Sequence, residues 1–379
     1  MVGPKEKSLF IELIQIALGN RQQLSLTPSV GEWGSIYQES IRQAVIGVAF
    51  EGVKKLPREQ WPPPDLKFQW IGICEQLRQQ NVLINRRCAE ISQMFVNEGF
   101  HSCILKGQGN ALMYSNPFSR TPGDIDVWVV IDGGRLKADG KDLSVKEERE
   151  IITRFVKQRT PKVFEQYHHI DFPVFNDVMV EVHYTPMKLL NPFYNHKFQK
   201  YCKETFYTQA NNYVVFPDGI GSVCVPSTDF NLIYQMAHLM YHFFVEGVGL
   251  RHFVDYFFVL KKIKKDRLEI EKYKSLFREF GLLKFAKGVM WIEKECLGLG
   301  NEYLVVDPDE KRGRVILKEM MEGGNFGQYD NRYKNRNKGY WTRGLLDGLR
   351  LLRLSTTFPC ESMWKMYMKI ENQRWKIKS

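Results

Sequence analysis

The sequence predicts an α+β protein: a small mixed β-sheet core over residues 100–225, between an N-terminal helical region, 1–99, and a C-terminal helical region with a basic tail, 226–379. Three observations predict it. Apolar residues recur at helical spacing over 8–55 and 66–99. Between residues 100 and 185 the texture changes to short apolar runs bounded by Gly, Pro, Asn and Asp, which is the pattern of strands and turns. From Asp229 the helical spacing returns, interrupted by the loop-like stretch 322–339.

The elements follow in order. The breaker "LPREQWPPPD" at 56–65 divides the first helical region. Residues 82–98 predict one long helix stopped at Gly99. "FHSCILKG" is a strand ending at Gly107, "GNALMYS" a short helix, and "DIDVWVVI" (124–131) a second strand. Residues 145–159 return to helix. "HHIDFPVF" and "VMVEVHYT" predict two strands joined by a hairpin turn at Asn176-Asp177. No internal repeat is visible.

Composition narrows the class. A chain of 379 residues with 44% hydrophobic content can bury two or three cores. No run of 18 apolar residues occurs, which predicts no transmembrane helix. Glu6, Glu12 and the lack of a small-residue cleavage site argue against a signal peptide. Seven scattered cysteines without a CxxC pair predict reduced thiols and a cytoplasmic setting, with no zinc site from cysteine spacing. The net charge is +11, and residues 331–379 carry 12 Lys/Arg against 3 acids. Such a segment suits nucleic acid, an anionic surface or an acidic partner, and equally a solvated helical face.

The chemistry centres on two carboxylates. Alternation along a strand places Asp124 and Asp126 on one face, with Ile125, Val127 and Val129 on the other. Two ionised carboxylates this close repel and are costly to desolvate. A divalent metal removes that cost, and Mg²⁺ favours hard oxygen ligands shared with phosphates. Glu181, in mid-strand between Val180 and Val182, offers a third acid if its strand neighbours the first, and His183 shares its face. The strand–Gly–helix unit around Gly107 and Gln108 can bring backbone N–H groups to a phosphate. Lys106 and Arg120 lie near the same turn and can contact phosphate oxygens. Each residue also has a structural reading: D-x-D by chance at a strand edge, Glu181 paired with a lysine, Lys106 as a strand-end charge, Arg120 as a partner of Asp124.

Further on, His238 and His242 are spaced i, i+4, so they share a helix face. The HExxH glutamate is missing, so a packed pair lining a cleft is the expectation rather than zinc. After the break "EGVGL", Arg251 begins a new helix and can pair with Asp255 or contact a ligand.

Four segments carry a family resemblance: "ILKG" (104–107), the R-x-x-x-DID-x-x-V pattern from Arg120 to Val129, "VEVH" (180–183) and the helical stretch from His238 to Leu260. Together they resemble the uncharacterised bacterial nucleotidyltransferase family, within the DNA polymerase β-type superfamily and often encoded near surface-polysaccharide genes. The resemblance implies transfer of NMP from a nucleoside triphosphate to an acceptor hydroxyl, with Mg²⁺ or Mn²⁺ held by Asp124, Asp126 and Glu181. It implies nucleotide contacts from Lys106, Gly107, Gln108, Arg120 and Arg251, with His183, His238 and His242 near the cleft. One departure is that Gln108 follows Gly107, where the wider superfamily usually has Gly or Ser. The acceptor is open: a small molecule, a sugar phosphate, a protein or an RNA end. The alternative function is a non-catalytic module that binds a nucleotide or a partner on the same fold.

Overall fold

The computed structural model describes residues 4–131, 143–263, 266–330 and 340–378, and no side chains at 4, 6, 207, 218, 340–343 or 370–378. Residues 331–339 and 379 of the basic C-terminal segment therefore lie outside the described residues. In chain order the elements are α1 (Pro4–Leu18), α2 (Val30–Arg42), α3 (Ile46–Lys55), α4 (Pro64–Asn97), β1 (Phe100–Ile104), α5 (Gly107–Ala111), β2 (Ile125–Ile131), α6 (Val145–Arg159), β3 (His169–Asp171), β4 (Val180–His183), α7 (Pro192–Gln209), β5 (Tyr213–Val215), β6 (Ser222–Cys224), α8 (Thr228–Val245), α9 (Leu250–Lys262), α10 (Arg267–Glu279), α11 (Leu283–Glu295), α12 (Glu310–Gly323), α13 (Tyr340–Ser355) and α14 (Pro359–Lys378). The architecture is α+β. Among the described residues no helix is long and apolar enough to cross a membrane, and all seven cysteines are free thiols.

The chain divides into two units: residues 75–188 with 198–234, and residues 1–74 with 189–197 and 235–379. The first holds the four-stranded sheet, in the order β1-β2-β4-β3. β1–β2 and β3–β4 are antiparallel, while β2–β4 is parallel. One face of the sheet is apolar: Ile125, Val127, Val129, Val180, Val182 and Ile170 pack with Ile91 and Phe95 of α4 and with Ile152, Phe155 and Val156 of α6. Phe155 is central, with its ring 5.3 Å from Phe95, 5.1 Å from Phe100 and 6.0 Å from Phe172.

α6 begins where its sequence directs. Ser144 and Glu147 form a reciprocal capping box that satisfies two otherwise unpaired backbone N–H groups. The buried residues Ile152, Phe155 and Val156 then recur at i, i+3 and i+4 on one stripe. α4 is longer than the expected 82–98. It starts at Pro64, whose missing N–H costs nothing in a first turn, and runs 34 residues to Asn97.

The β3–β4 hairpin is looser than expected. Eight residues, 172–179, separate the paired strands, and Pro173 has no N–H to extend the ladder. Asp177 does not close a two-residue turn; its carboxylate instead receives Arg87 Nη2 at 2.7 Å.

In the other unit, Trp70 anchors the N-terminal helices. Its ring lies 5.2 Å from Tyr37 and 6.4 Å from Trp33, and its Nε1 donates to the Ile46 carbonyl at 2.9 Å. Phe243, Phe244, Phe285 and Phe358 form a second aromatic cluster, with centroids 5.0–6.3 Å apart. Within the basic segment, Arg350 and Arg353 both pair with Glu319, and Lys369 pairs with Asp347.

Candidate active site

The second face of the sheet is built from the same strands by alternation. With Ile125, Val127 and Val129 buried in the core, Asp126 and Trp128 must face the opposite side. Trp128 is covered there by Phe206, 4.6 Å away, and Phe230, 5.6 Å away. The parallel register sets Asp126 beside Glu181 and Trp128 beside His183. The antiparallel register of β3 then sets His169 beside His183 and Asp171 beside Glu181. A polar cluster of three acids and two histidines is thereby fixed by backbone pairing alone.

Asp126 is buried and doubly paired: Lys106 Nζ lies 3.2 Å from its Oδ2 and His183 Nε2 lies 3.0 Å from its Oδ1. Burial alone would push its carboxyl up, but Lys106 and His183 overcome that and hold it well below the usual carboxylate range. Burial likewise opposes charge on His183, yet Asp126 and Glu181 (Oε2 at 3.5 Å) raise its imidazole to about 9. Lys106 is raised too, because Asp126, Asp124 and Glu181 outweigh its desolvation. Asp124 stands exposed just before β2, and its carboxyl is raised first by the negative charge of Asp126.

The β1–α5 turn aims Lys106. Leu105 N donates to the Asp126 carbonyl at 2.9 Å, which ties the end of β1 to the site. Lys106 then adopts φ +37 and Gly107 φ +45, a left-handed pair that only glycine accepts without strain. Gln108 turns its side chain away from the acids, and its Nε2 donates to Asn81 Oδ1 at 3.3 Å and to Asn85 Oδ1 on α4. Arg120 is buried, with Nη1 donating to the Thr121 carbonyl at 3.3 Å.

The structure thus joins Asp126, Glu181, His183 and Lys106 in one cluster. Among the described residues the ligating atoms of Asp126, Glu181 and His183 lie within 4.8 Å of one another, as do those of His169, Asp171 and Glu181. Asp124 belongs to no such group. Two carboxylates on adjacent strands, with a third at the exposed mouth, are the hard oxygen donors a divalent cation requires. Lys106 and His183 already balance the charge of Asp126, so the group is a closely packed set of opposite charges.

His238, His242 and Arg251 belong to the other unit. There the His238 and His242 rings lie 4.2 Å apart, and His242 Nδ1 is 3.0 Å from Glu246 Oε2. The Arg251 guanidinium sits over the Phe326 ring at 5.7 Å. His169 and Asp171 were not singled out by sequence reasoning. The signal was present in the adjacent histidines of "HHIDFPVF" facing "VEVH" across a predicted hairpin.

Fold and site together define an α+β protein with a carboxylate centre on the polar face of a mixed sheet. The chain belongs to the family described as uncharacterised nucleotidyltransferase, which it matches over residues 29–298. No curated protein matches it. A solved structure, an antigenic nucleotidyltransferase-like protein from Paracoccidioides brasiliensis, is similar over 61% of this chain and 96% of that one. Its identity is 12% and its TM-score 0.35, too loose a likeness to carry an argument.

Proposed function

We propose that the protein transfers a nucleotidyl group from a nucleoside triphosphate to an acceptor hydroxyl, in the manner of the DNA polymerase β-type superfamily. The observation that carries this reading is Asp126 beside Glu181 on parallel strands, with Asp124 at the exposed mouth and the Lys106–Gly107 turn alongside. Asp124, Asp126 and Glu181 would hold Mg²⁺ or Mn²⁺. When bound, such an ion polarises the phosphoryl oxygens and favours the ionised acceptor.

The chain's own residues do the rest. Lys106 supplies a positive charge at the edge of the acid cluster, where an anionic triphosphate must sit. The backbone N–H groups of Gly107 and Gln108 orient the phosphates, while the Gln108 side chain braces the turn against α4. The acceptor oxygen attacks the α-phosphorus, the bond to the bridging oxygen breaks, and its electron pair leaves with pyrophosphate. The acceptor proton passes to Glu181. The negative charge of Asp126 raises the Asp124 carboxyl, a repulsion that a cation shared by the two would relieve. For Arg251, in the other unit, a nucleotide role rests on the resemblance alone, and the buried Arg120 serves to shape the loop that carries Asp124.

Incubating the protein with each NTP, Mg²⁺ and pools of small-molecule, sugar-phosphate, protein or RNA acceptors tests this. Pyrophosphate release is expected with one pool, and Asp126→Asn should lower it at least about a hundredfold. Chelation of the divalent ion should abolish it. Tight binding of Mg·NTP with no turnover against any pool would instead favour a non-catalytic nucleotide-binding module.

A further inference from the structure

Beside the acids stand three histidines whose grouping nucleotidyl transfer does not need. His169 and His183 stand directly opposite one another in the β3–β4 ladder, with ring centroids 5.2 Å apart. The ring of His168, just before β3, lies 4.6 Å from His169 and 5.5 Å from His183. One nitrogen from each ring lies within 4.8 Å of the other two.

A buried histidine normally hydrogen-bonds through its ring nitrogens, because an unmet polar atom there costs about 1–3 kcal/mol. His169 is 5% exposed and His183 3%. Yet both nitrogens of His169 and Nδ1 of His183 make no hydrogen bond. Two buried rings thus present unbonded nitrogens within a three-imidazole cluster. His183 adds a further feature. Its Nε2 is held by the Asp126 carboxylate, leaving Nδ1 unbonded. A carboxylate on one nitrogen is the usual device that orients a metal-bound imidazole through the other.

Imidazole nitrogen suits zinc, copper, iron and nickel, whereas Mg²⁺ takes oxygen. Tetrahedral zinc with bonds of about 2.0–2.1 Å sets its nitrogens roughly 3.3 Å apart, against the 4.8 Å within which one nitrogen from each of these rings lies. We propose that His168, His169 and His183 form a binding site for a divalent transition-metal cation of the zinc class, adjoining the hard-cation site of Asp124, Asp126 and Glu181 and linked to it through the His183–Asp126 contact. The ion would clamp β3 to β4 at the register that places Glu181, whose Oε2 lies 3.4 Å from His169 Nδ1.

Chelator-stripped full-length protein, kept in excess Mg²⁺, is titrated with Zn²⁺ and, separately, Co²⁺. Stoichiometric Zn²⁺ uptake is expected, with visible Co²⁺ absorption of a tetrahedral site and imidazole scattering in the zinc X-ray absorption of the wild-type protein. The double variant His168→Gln, His169→Gln should weaken Zn²⁺ binding at least about tenfold, with an unchanged circular dichroism spectrum. Asp124→Asn should keep Zn²⁺ affinity while losing NTP turnover. Lack of uptake, an all-oxygen absorption spectrum, loss of Zn²⁺ binding in Asp124→Asn, or a folded double variant with undiminished affinity would each overturn the assignment. If the double variant does not fold, the wild-type X-ray absorption decides. Zn²⁺ uptake on the histidines without NTP turnover in the wild type would sink the nucleotidyl reading and leave this one standing.

Discussion

His183 Nε2 lies 3.0 Å from Asp126 Oδ1, and both side chains are buried. The two residues are 57 apart in the chain and meet only through the parallel pairing of β2 with β4. A buried contact between opposite charges has consequences that solution measurements can read.

The first concerns pH. His183 is held at about 9 in the folded protein, above its ordinary 6.5. Its stabilising contribution is therefore complete below pH 6.5 and is lost as pH rises through about 9. Chelator-treated protein should melt progressively lower across that window, and His183→Gln should flatten the dependence. A melting temperature that stays level up to pH 9.5 in the wild type would contradict the pairing.

Lys106 combines a charge with a left-handed backbone at φ +37. Lys106→Met and Lys106→Gly both remove the cation beside Asp126, and each should slow pyrophosphate release about tenfold or more, about 1.4 kcal/mol. They should differ in stability. The glycine variant relaxes the turn and should be about 1 kcal/mol more stable than the methionine variant. Denaturant unfolding distinguishes them.

Gln108 braces the turn through Asn81 and Asn85. Gln108→Ala leaves the buried Oδ1 atoms of both asparagines without that donor, at a cost of about 1–3 kcal/mol. A double-mutant cycle with Asn85→Ala should recover part of the loss; strictly additive effects would show that the bond contributes nothing.

Phe155 sits at the centre of the sheet–helix core. Phe155→Ala should destabilise by about 3–5 kcal/mol through the cavity it leaves. Val145→Ala, at an exposed position on the same helix, should stay within about 0.5 kcal/mol. Equal losses at the two positions would mean that α6 does not pack as described.

Local features of the sequence were the readable ones. The bounds of α6, 145–159, were legible because a capping box and an apolar stripe are both short-range signals. The two faces of β2 were legible because alternation needs no partner. The parallel neighbour of β2 was expected only as a condition, since register across an intervening helix is set by packing that no local pattern encodes. The histidine cluster was missed for the same reason: His168 and His169 read as the start of a strand until β3–β4 pairing sets them against His183. Lys106 was read as a phosphate contact or a strand-end charge. Its ion pair with Asp126 depends on a turn conformation that lysine rarely adopts, so the spacing gave no warning of it. The hairpin was expected to be tight because Asn176-Asp177 is a strong turn pair, yet Pro173 ends the ladder first.

The strand order β1-β2-β4-β3 also bears on how the chain reaches its native state. The antiparallel pairs β3–β4 and β1–β2 close over residues 172–179 and 105–124, shorter spans than the crossover from β2 to β4. Joining them requires a crossover that closes last, because long-range parallel pairing is kinetically slow. Contact order thus favours a late meeting of Asp126 and Glu181. Until then each acid keeps its water, and no half-folded form has to hold both charges in a dry interior. A ligand that bridges the two strands would act as a latch on that step, raising the barrier to unfolding more than it speeds folding.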